Sequence, residues 1–199
     1  MSRSTSLQTR TAARPDPLLQ ALARELRTDH AGETGAVMIY RGILSVSRDA
    51  AVRRFAEHHR ATEQQHLDLI EALQPTVRRS LLLPLWRLSG WMTGALPALF
   101  GARAVYATIE AVETFVDRHY AEQVALVDRI LAQPGDSLDR PRLLALRALL
   151  EQCRLEEVAH RDDAAARQTD LAAPGLLLRC WTRIVGAGSE QAVKICRWV

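Results

Sequence analysis

An all-α bundle is the fold class this sequence predicts, on three observations. Leu, Ala, Arg, Glu and Gln dominate, and these residues lose little side-chain freedom in a helix. Four long stretches repeat apolar residues every three or four positions, the spacing of one helix face. No segment alternates apolar and polar residues as a half-buried strand does. At 199 residues, 48% of them apolar, the chain suffices for one cored domain and hardly for two.

Residues 1–15 are basic and polar without an apolar run, which is not a secretory-signal pattern. They predict a short disordered tail before a single domain over 16–199. The first stripe carries Leu22, Leu26, His30, Glu33, Val37, Tyr40 and Leu44. The second carries Val52, Phe55, His59, Glu63, His66, Ile70 and Leu73. The third carries Ala102, Tyr106, Ile109, Glu113, Val116, Tyr120, Val124 and Val127. The fourth carries Leu143, Leu146, Leu150, Cys153, Glu157, His160 and Ala164. Breaks fall at Ser47-Arg48-Asp49, Gln74-Pro75, Gln133-Pro134-Gly135-Asp136 and Ala173-Pro174-Gly175, where turn chemistry puts them. A fifth, basic and apolar helix closes the chain from about Leu176 to Arg197.

One segment stands apart. Between residues 72 and 109 the only charges are Arg78, Arg79, Arg87 and Arg103. Its centre, residues 81–100, reads LLLPLWRLSGWMTGALPALF and is interrupted by Pro84, Gly90, Gly94 and Pro97. This predicts an extra apolar helical hairpin beside the bundle. The net charge of +3 is too small to argue for nucleic acid. Cys153, Cys180 and Cys196 are too few and too scattered for a disulfide framework, which suits a reducing compartment.

Each of the four stripes carries acid where apolar residues belong: Glu33, Glu63, Glu113 and Glu157. A lone buried carboxylate costs several kcal/mol unless paired or neutralised, and four facing one another also repel. No Lys or Arg shares these stripe positions. Two divalent cations would offset four carboxylates completely. Glu63-x-x-His66 and Glu157-x-x-His160 place a carboxylate and an imidazole on one helix face, within reach of one ion. The chain thus repeats a helix with Glu followed by a helix with Glu-x-x-His, the pattern of ferritin-like di-iron and di-manganese bundles. An oxygen-rich set with one imidazole per metal suits Fe(II) or Mn(II) better than zinc. Glu110, one turn before Glu113, competes with it for the third position; Glu156 lacks the spacing to His160 that Glu157 has.

At these residues the chain resembles a known family. LRTDHAGETGAVMIYRG from Leu26, EQQH from Glu63, AVETFVDRHY from Ala111 and EEVAH from Glu156 resemble the demethoxyubiquinone hydroxylases of ubiquinone biosynthesis, which are di-iron monooxygenases. The stretch around Pro84-Leu85-Trp86 also fits; Glu110 and the Arg78-Arg79 region depart from the pattern. The resemblance implies a ferritin-like four-helix bundle whose metal ligands are Glu33, Glu63, His66, Glu113, Glu157 and His160. It favours Glu113 over Glu110. It implies two iron ions, O2 as co-substrate, and hydroxylation of a polyprenyl quinone or quinol ring. No dinucleotide motif follows a strand, so electrons come from an external reductant, NADH by the resemblance. Tyr120, on the helix face of Glu113, and His119 beside it are candidates for proton or electron relay.

A polyprenyl substrate resides in a bilayer, which makes residues 80–100 the natural docking segment. One membrane crossing there would separate Glu63 and His66 from Glu113, so the expectation is a monotopic segment with Trp86 and Trp91 at the interface. The expected setting is the cytoplasmic face of a bacterial inner membrane or the matrix face of the mitochondrial one. Homo-oligomers and a lipid-binding companion protein are further expected partners. Two other functions share features of this sequence: a ferritin-like iron oxidase or peroxidase, and a non-catalytic quinone-lipid binder.

Overall fold

The computed structural model describes residues 16–73, 79–134, 139–168 and 175–199. The expected tail, Arg78, and the breaks at Pro75, Gly135-Asp136 and Pro174 lie outside them. The described residues form six helices and no strand: α1 (Pro17–Val46), α2 (Ala50–Ala72), α3 (Leu83–Ala98), α4 (Ala102–Leu131), α5 (Arg140–Ala166) and α6 (Leu176–Cys196).

Helix starts follow local chemistry. The Asp16 carboxylate accepts from Leu18 N–H at 2.7 Å, that of Asp49 from Ala51 and Val52 N–H at 2.7 and 3.1 Å, and that of Asp139 from Arg142 N–H at 3.2 Å. Each such cap satisfies orphan amides and stabilises a helix by about 1 kcal/mol. Pro17, Pro84 and Pro141 stand in first turns, where a missing N–H costs nothing.

α1 packs along α2 and α4 along α5; α1–α4 and α2–α5 contacts join the pairs into a four-helix bundle. Two apolar clusters fill it. One gathers Ile39, Tyr40, Val52, Phe55, Val105, Tyr106 and Ile109; the other gathers Leu22, Leu26, Tyr120, Val127, Ile130, Leu143 and Leu150. The four stripe glutamates occupy the level between them.

The apolar segment corrects one expectation. It is a single helix, α3, not a hairpin. Pro84 lies in its first turn, where a missing N–H costs nothing, and Pro97 is the last residue but one, so the helix stops just beyond it. Gly90 and Gly94 do not break it because they make its interface with α1. A Cβ on Gly94 would collide with the backbone of Ile39 and Ile43, and one on Gly42 with Trp91 and Ala95. Hydrogen atoms at these positions let two helix backbones approach closely. α6 lies along α4 and touches α1. Among the described residues, no helix is long and apolar enough to cross a membrane.

Candidate metal centre

Six side chains from α1, α2, α4 and α5 converge in the middle layer, all at most 4% exposed. They form two overlapping groups. Ligand atoms of Glu33, Glu63, His66 and Glu157 lie within 4.8 Å of one another, as do those of Glu63, Glu113, Glu157 and His160. Glu63 and Glu157 belong to both groups. Glu33 with His66, and Glu113 with His160, are private to one each. The spacing of one helical turn within each Glu-x-x-His puts both side chains over the same point of the bundle axis.

The six are the residues singled out from the sequence, and the two rivals lie elsewhere. The Glu110 carboxylate accepts from Gln168 Nε2 at 2.8 Å, away from the cluster. Glu156 Oε2 sits 2.6 Å from Nε2 of His66, behind the ring rather than in front of it. It holds His66 with Nδ1 facing the carboxylates, 3.0 Å from Glu157 Oε1. Such a carboxylate behind an imidazole fixes the ring and increases its donor strength toward a metal. His160 presents Nδ1 to Glu63 Oε1 at 3.0 Å and Glu157 Oε2 at 3.3 Å. Its ring meets the edge of His59, centroids 4.3 Å apart, and His59 Nε2 is 2.9 Å from Asp163.

Burial and mutual proximity set the electrostatics of the six side chains. Burial pushes the Glu33 and Glu113 carboxyls well above the usual range, reinforced by neighbouring glutamates, and raises Glu63. Burial opposes ionised Glu157 too, but hydrogen bonds with His160 and His66 prevail and hold it at about 2. Burial works against charge on the two imidazoles. Their bonds to Glu157 and the surrounding carboxylates outweigh it and raise both to about 10. Glu33 Oε2 and Glu63 Oε2 are buried with no hydrogen-bond partner. Buried polar atoms are rarely left unpaired, and two such carboxylate oxygens at one point suit a cation. No Arg or Lys is among the ion-pair partners of these six in the described residues. The donors fit two divalent ions of the Fe(II) or Mn(II) kind.

Two tyrosines complete the frame, and one was missed in the sequence. Tyr120 donates to Glu33, and Tyr40 donates to Glu113 Oε1 at 3.3 Å. Each follows a glutamate of its own helix by seven residues and holds the glutamate of the other helix. The repeated Glu-x6-Tyr was the available signal. Burial and the adjacent glutamates keep both phenols protonated far above their ordinary range, so both act as donors.

The family model described as "Ubiquinone biosynthesis protein COQ7" matches residues 20–196. The chain belongs to the COQ7 family. It is 40% identical over 151 residues to the 3-demethoxyubiquinol 3-hydroxylase of Rhodospirillum rubrum, a match covering 74% of this chain and 66% of that protein. It is 33% identical over 175 residues to the NADPH-dependent 3-demethoxyubiquinone 3-hydroxylase, mitochondrial, of Mus musculus, covering 87% and 76%. A third relative is the 5-demethoxyubiquinone hydroxylase, mitochondrial, of Saccharomyces cerevisiae, at 32% over 160 residues, covering 77% and 69%.

In this COQ7-family chain a cavity of about 420 Å³ reaches from the Glu/His cluster outward between α1, α3, α4 and α6. Glu33, Glu63, Glu113 and Glu157 form its floor; Leu85, Trp86, Ile184 and Ile195 are among its outer residues. His119 and Tyr120 line it; Tyr40 does not. Asp29 also lines it, buried in mid-helix α1 and bonded to Gln123. Around the outer end, Leu81, Leu85, Leu88, Leu99 and Phe100 on and beside α3, with Leu176, Leu177 and Ile184 on α6, are exposed. Trp91 is 39% exposed, whereas Trp86 is turned into the cavity wall. Arg79 pairs with Glu71 at 3.0 Å.

Proposed function

We propose that this chain is a di-iron monooxygenase that hydroxylates the ring of a polyprenyl demethoxyubiquinone or demethoxyubiquinol. The observation carrying this reading is the pair of overlapping Glu/His groups at the floor of an apolar cavity. Glu33 and His66 would hold one iron, Glu113 and His160 the other, with Glu63 and Glu157 shared. When bound, the irons supply activation of O2. The chain's own residues do the rest. The two apolar clusters keep the site dry. Tyr120 and Tyr40 fix the outer carboxylates and hold a proton at Glu33 and Glu113. His119 and Tyr120, on the cavity wall, serve as relay residues between ring and carboxylates. Electrons come from outside the chain, from a reduced nicotinamide.

The apolar residues of α3 and α6 support docking on a membrane surface, so that the prenyl tail enters from lipid along the cavity. Residues 80–100 would lie in the interface, the metal cluster above it. An oligomer and a lipid-binding companion fit the same surface.

The test is product analysis. Purified protein with short-chain demethoxyubiquinol, reductant and O2 is expected to yield a ring carrying one added oxygen atom, with two irons per chain. Iron oxidation without quinol product would assign the storage-type chemistry instead, and a chain that binds quinone but no iron would be a carrier.

Metal loading should also depend on pH in a defined direction. Both imidazoles keep protons up to about pH 10 in the metal-free protein, and Glu33 and Glu113 keep theirs above the usual range. Coordination requires every ligand to give its proton up. Acidification from about pH 8 to about pH 6 is therefore expected to weaken Fe(II) binding, steeply because several protons leave. Competition with a chromophoric chelator measures it; a flat profile would contradict this site.

A further inference from the structure

The candidate centre is built in two halves that mirror each other. His66 Nδ1 on α2 lies 3.0 Å from Glu157 on α5, and His160 Nδ1 on α5 lies 3.0 Å from Glu63 on α2. Tyr120 of α4 on Glu33 of α1, and Tyr40 of α1 on Glu113 of α4, make the same exchange between the other two helices. The mirror fails behind the imidazoles. The residue before Glu157 is Glu156, whereas the residue before Glu63 is Thr62. One ring therefore has a carboxylate at its back, and the sequence supplies no counterpart for the other.

His66 Nε2 is 2.6 Å from Glu156 Oε2. A carboxylate only accepts, so the ring donates there and Nδ1 is the nitrogen free to ligate. Glu156 is itself fixed, because its other oxygen accepts from Gln152 Nε2, one turn back on α5, at 3.1 Å. Behind His160 stands the ring of His59, met edge-on with centroids 4.3 Å apart. His59 spends its Nε2 on Asp163 at 2.9 Å, so that carboxylate is one ring removed from His160. His59 Nδ1 makes no hydrogen bond, so the ring packs against His160 without accepting from it. Among the described residues the ion-pair partners of His160 are Glu63 and Glu157, both at Nδ1. An imidazole that gives its far N–H to a carboxylate is a more basic and more rigidly held ligand, and losing such a partner costs about 10- to 100-fold in metal affinity.

We propose that Glu156, a positioning residue acting through His66, makes the two metal positions unequal, so that the one built by Glu33 and His66 holds Fe(II) more tightly than the one built by Glu113 and His160. The difference expected from one such partner is about 10- to 100-fold. The Glu113/His160 position is then the one that fills last and empties first. The inference rests on the di-iron reading above and adds the order of filling and the residue that sets it.

The experiment measures Fe(II) affinity under argon, at one fixed pH, by competition with a chromophoric chelator. It uses full chains reduced to one position each. His160→Gln keeps the Glu33/His66 position, and His66→Gln keeps the Glu113/His160 position. The first is expected to hold Fe(II) about 10-fold or more tightly than the second. Adding Glu156→Gln should weaken the His160→Gln chain by about 10-fold and leave the His66→Gln chain within about twofold. A general loss of structure or of negative charge would move both alike. Glu156 is 38% exposed, so Glu156→Gln is also tolerated in the otherwise unaltered chain. There it should weaken one of the two bound ions; a loss shared by both, or by neither, overturns the proposal. Equal affinities of the two single-position chains overturn it as well, and all these results leave the di-iron reading intact. Absence of Fe(II) binding by the unaltered chain overturns that reading and the proposal with it.

Discussion

Replacing Glu157 by glutamine is expected to abolish binding of both metals, while Glu33→Gln and Glu113→Gln each impair one. Glu157 belongs to both ligand groups, and each outer glutamate belongs to one. The stability of the metal-free protein should respond in a different order. Glu157 is held at about 2 by its bonds to two protonated imidazoles, so it is the one firmly ionised acid of the cluster. Neutralising it leaves His66 and His160 as buried charges without their main partner, a change that costs about 3–5 kcal/mol in comparable buried pairs. Glu113 already holds a proton through burial and its acidic neighbours, and an uncharged amide of the same shape replaces it at little cost. Metal analysis and urea unfolding of the chelator-treated variants measure the two effects. Equal destabilisation by Glu157→Gln and Glu113→Gln would contradict this charge distribution.

A second large effect lies away from the metals. Gly94→Ala is expected to destabilise the protein by about 3 kcal/mol or more and to detach α3 from the bundle. The new methyl would meet the backbone of Ile39 and Ile43, which has no rotamer by which to yield. α3 supplies Leu85, Trp86 and Gly90 to the cavity wall, so hydroxylation should fall with stability. Gly186→Ala on α6 is the contrasting case. A Cβ there meets nothing within 4 Å, and losing a mid-helix glycine should stabilise by about 0.5–1 kcal/mol. Urea midpoints of the two variants should move in opposite directions; parallel shifts would show that the α1–α3 contact is looser than its geometry.

The Glu/His cluster was legible because it breaks a rule of composition. Acid on an apolar stripe has one common physical excuse, a compensating cation, and two Glu-x-x-His repeats place the ligands by local helix geometry alone. The reciprocal tyrosines were legible in principle through Glu-x6-Tyr, although that each bonds the opposite helix depends on how α1 and α4 lie together. The roles of Glu110 and Glu156 were not readable. Residues one position apart along a helix differ by about 100° in direction. Only the packed neighbours decide which faces the cluster, Gln168, or the back of His66.

The apolar segment shows the same division. Composition marked it as foreign to the bundle, but its prolines and glycines suggested interruptions. In the folded chain the prolines fall in end turns and the glycines fit against α1, because what a small residue means depends on what approaches it. The sequence by itself determined the helices, the six glutamates and histidines that cluster and their pairing in two halves, since these follow from periodicities of three and four along one chain. Tertiary structure alone decided which glutamates are shared and where the cavity runs. Those depend on distances between helices, and no spacing along a single helix encodes them.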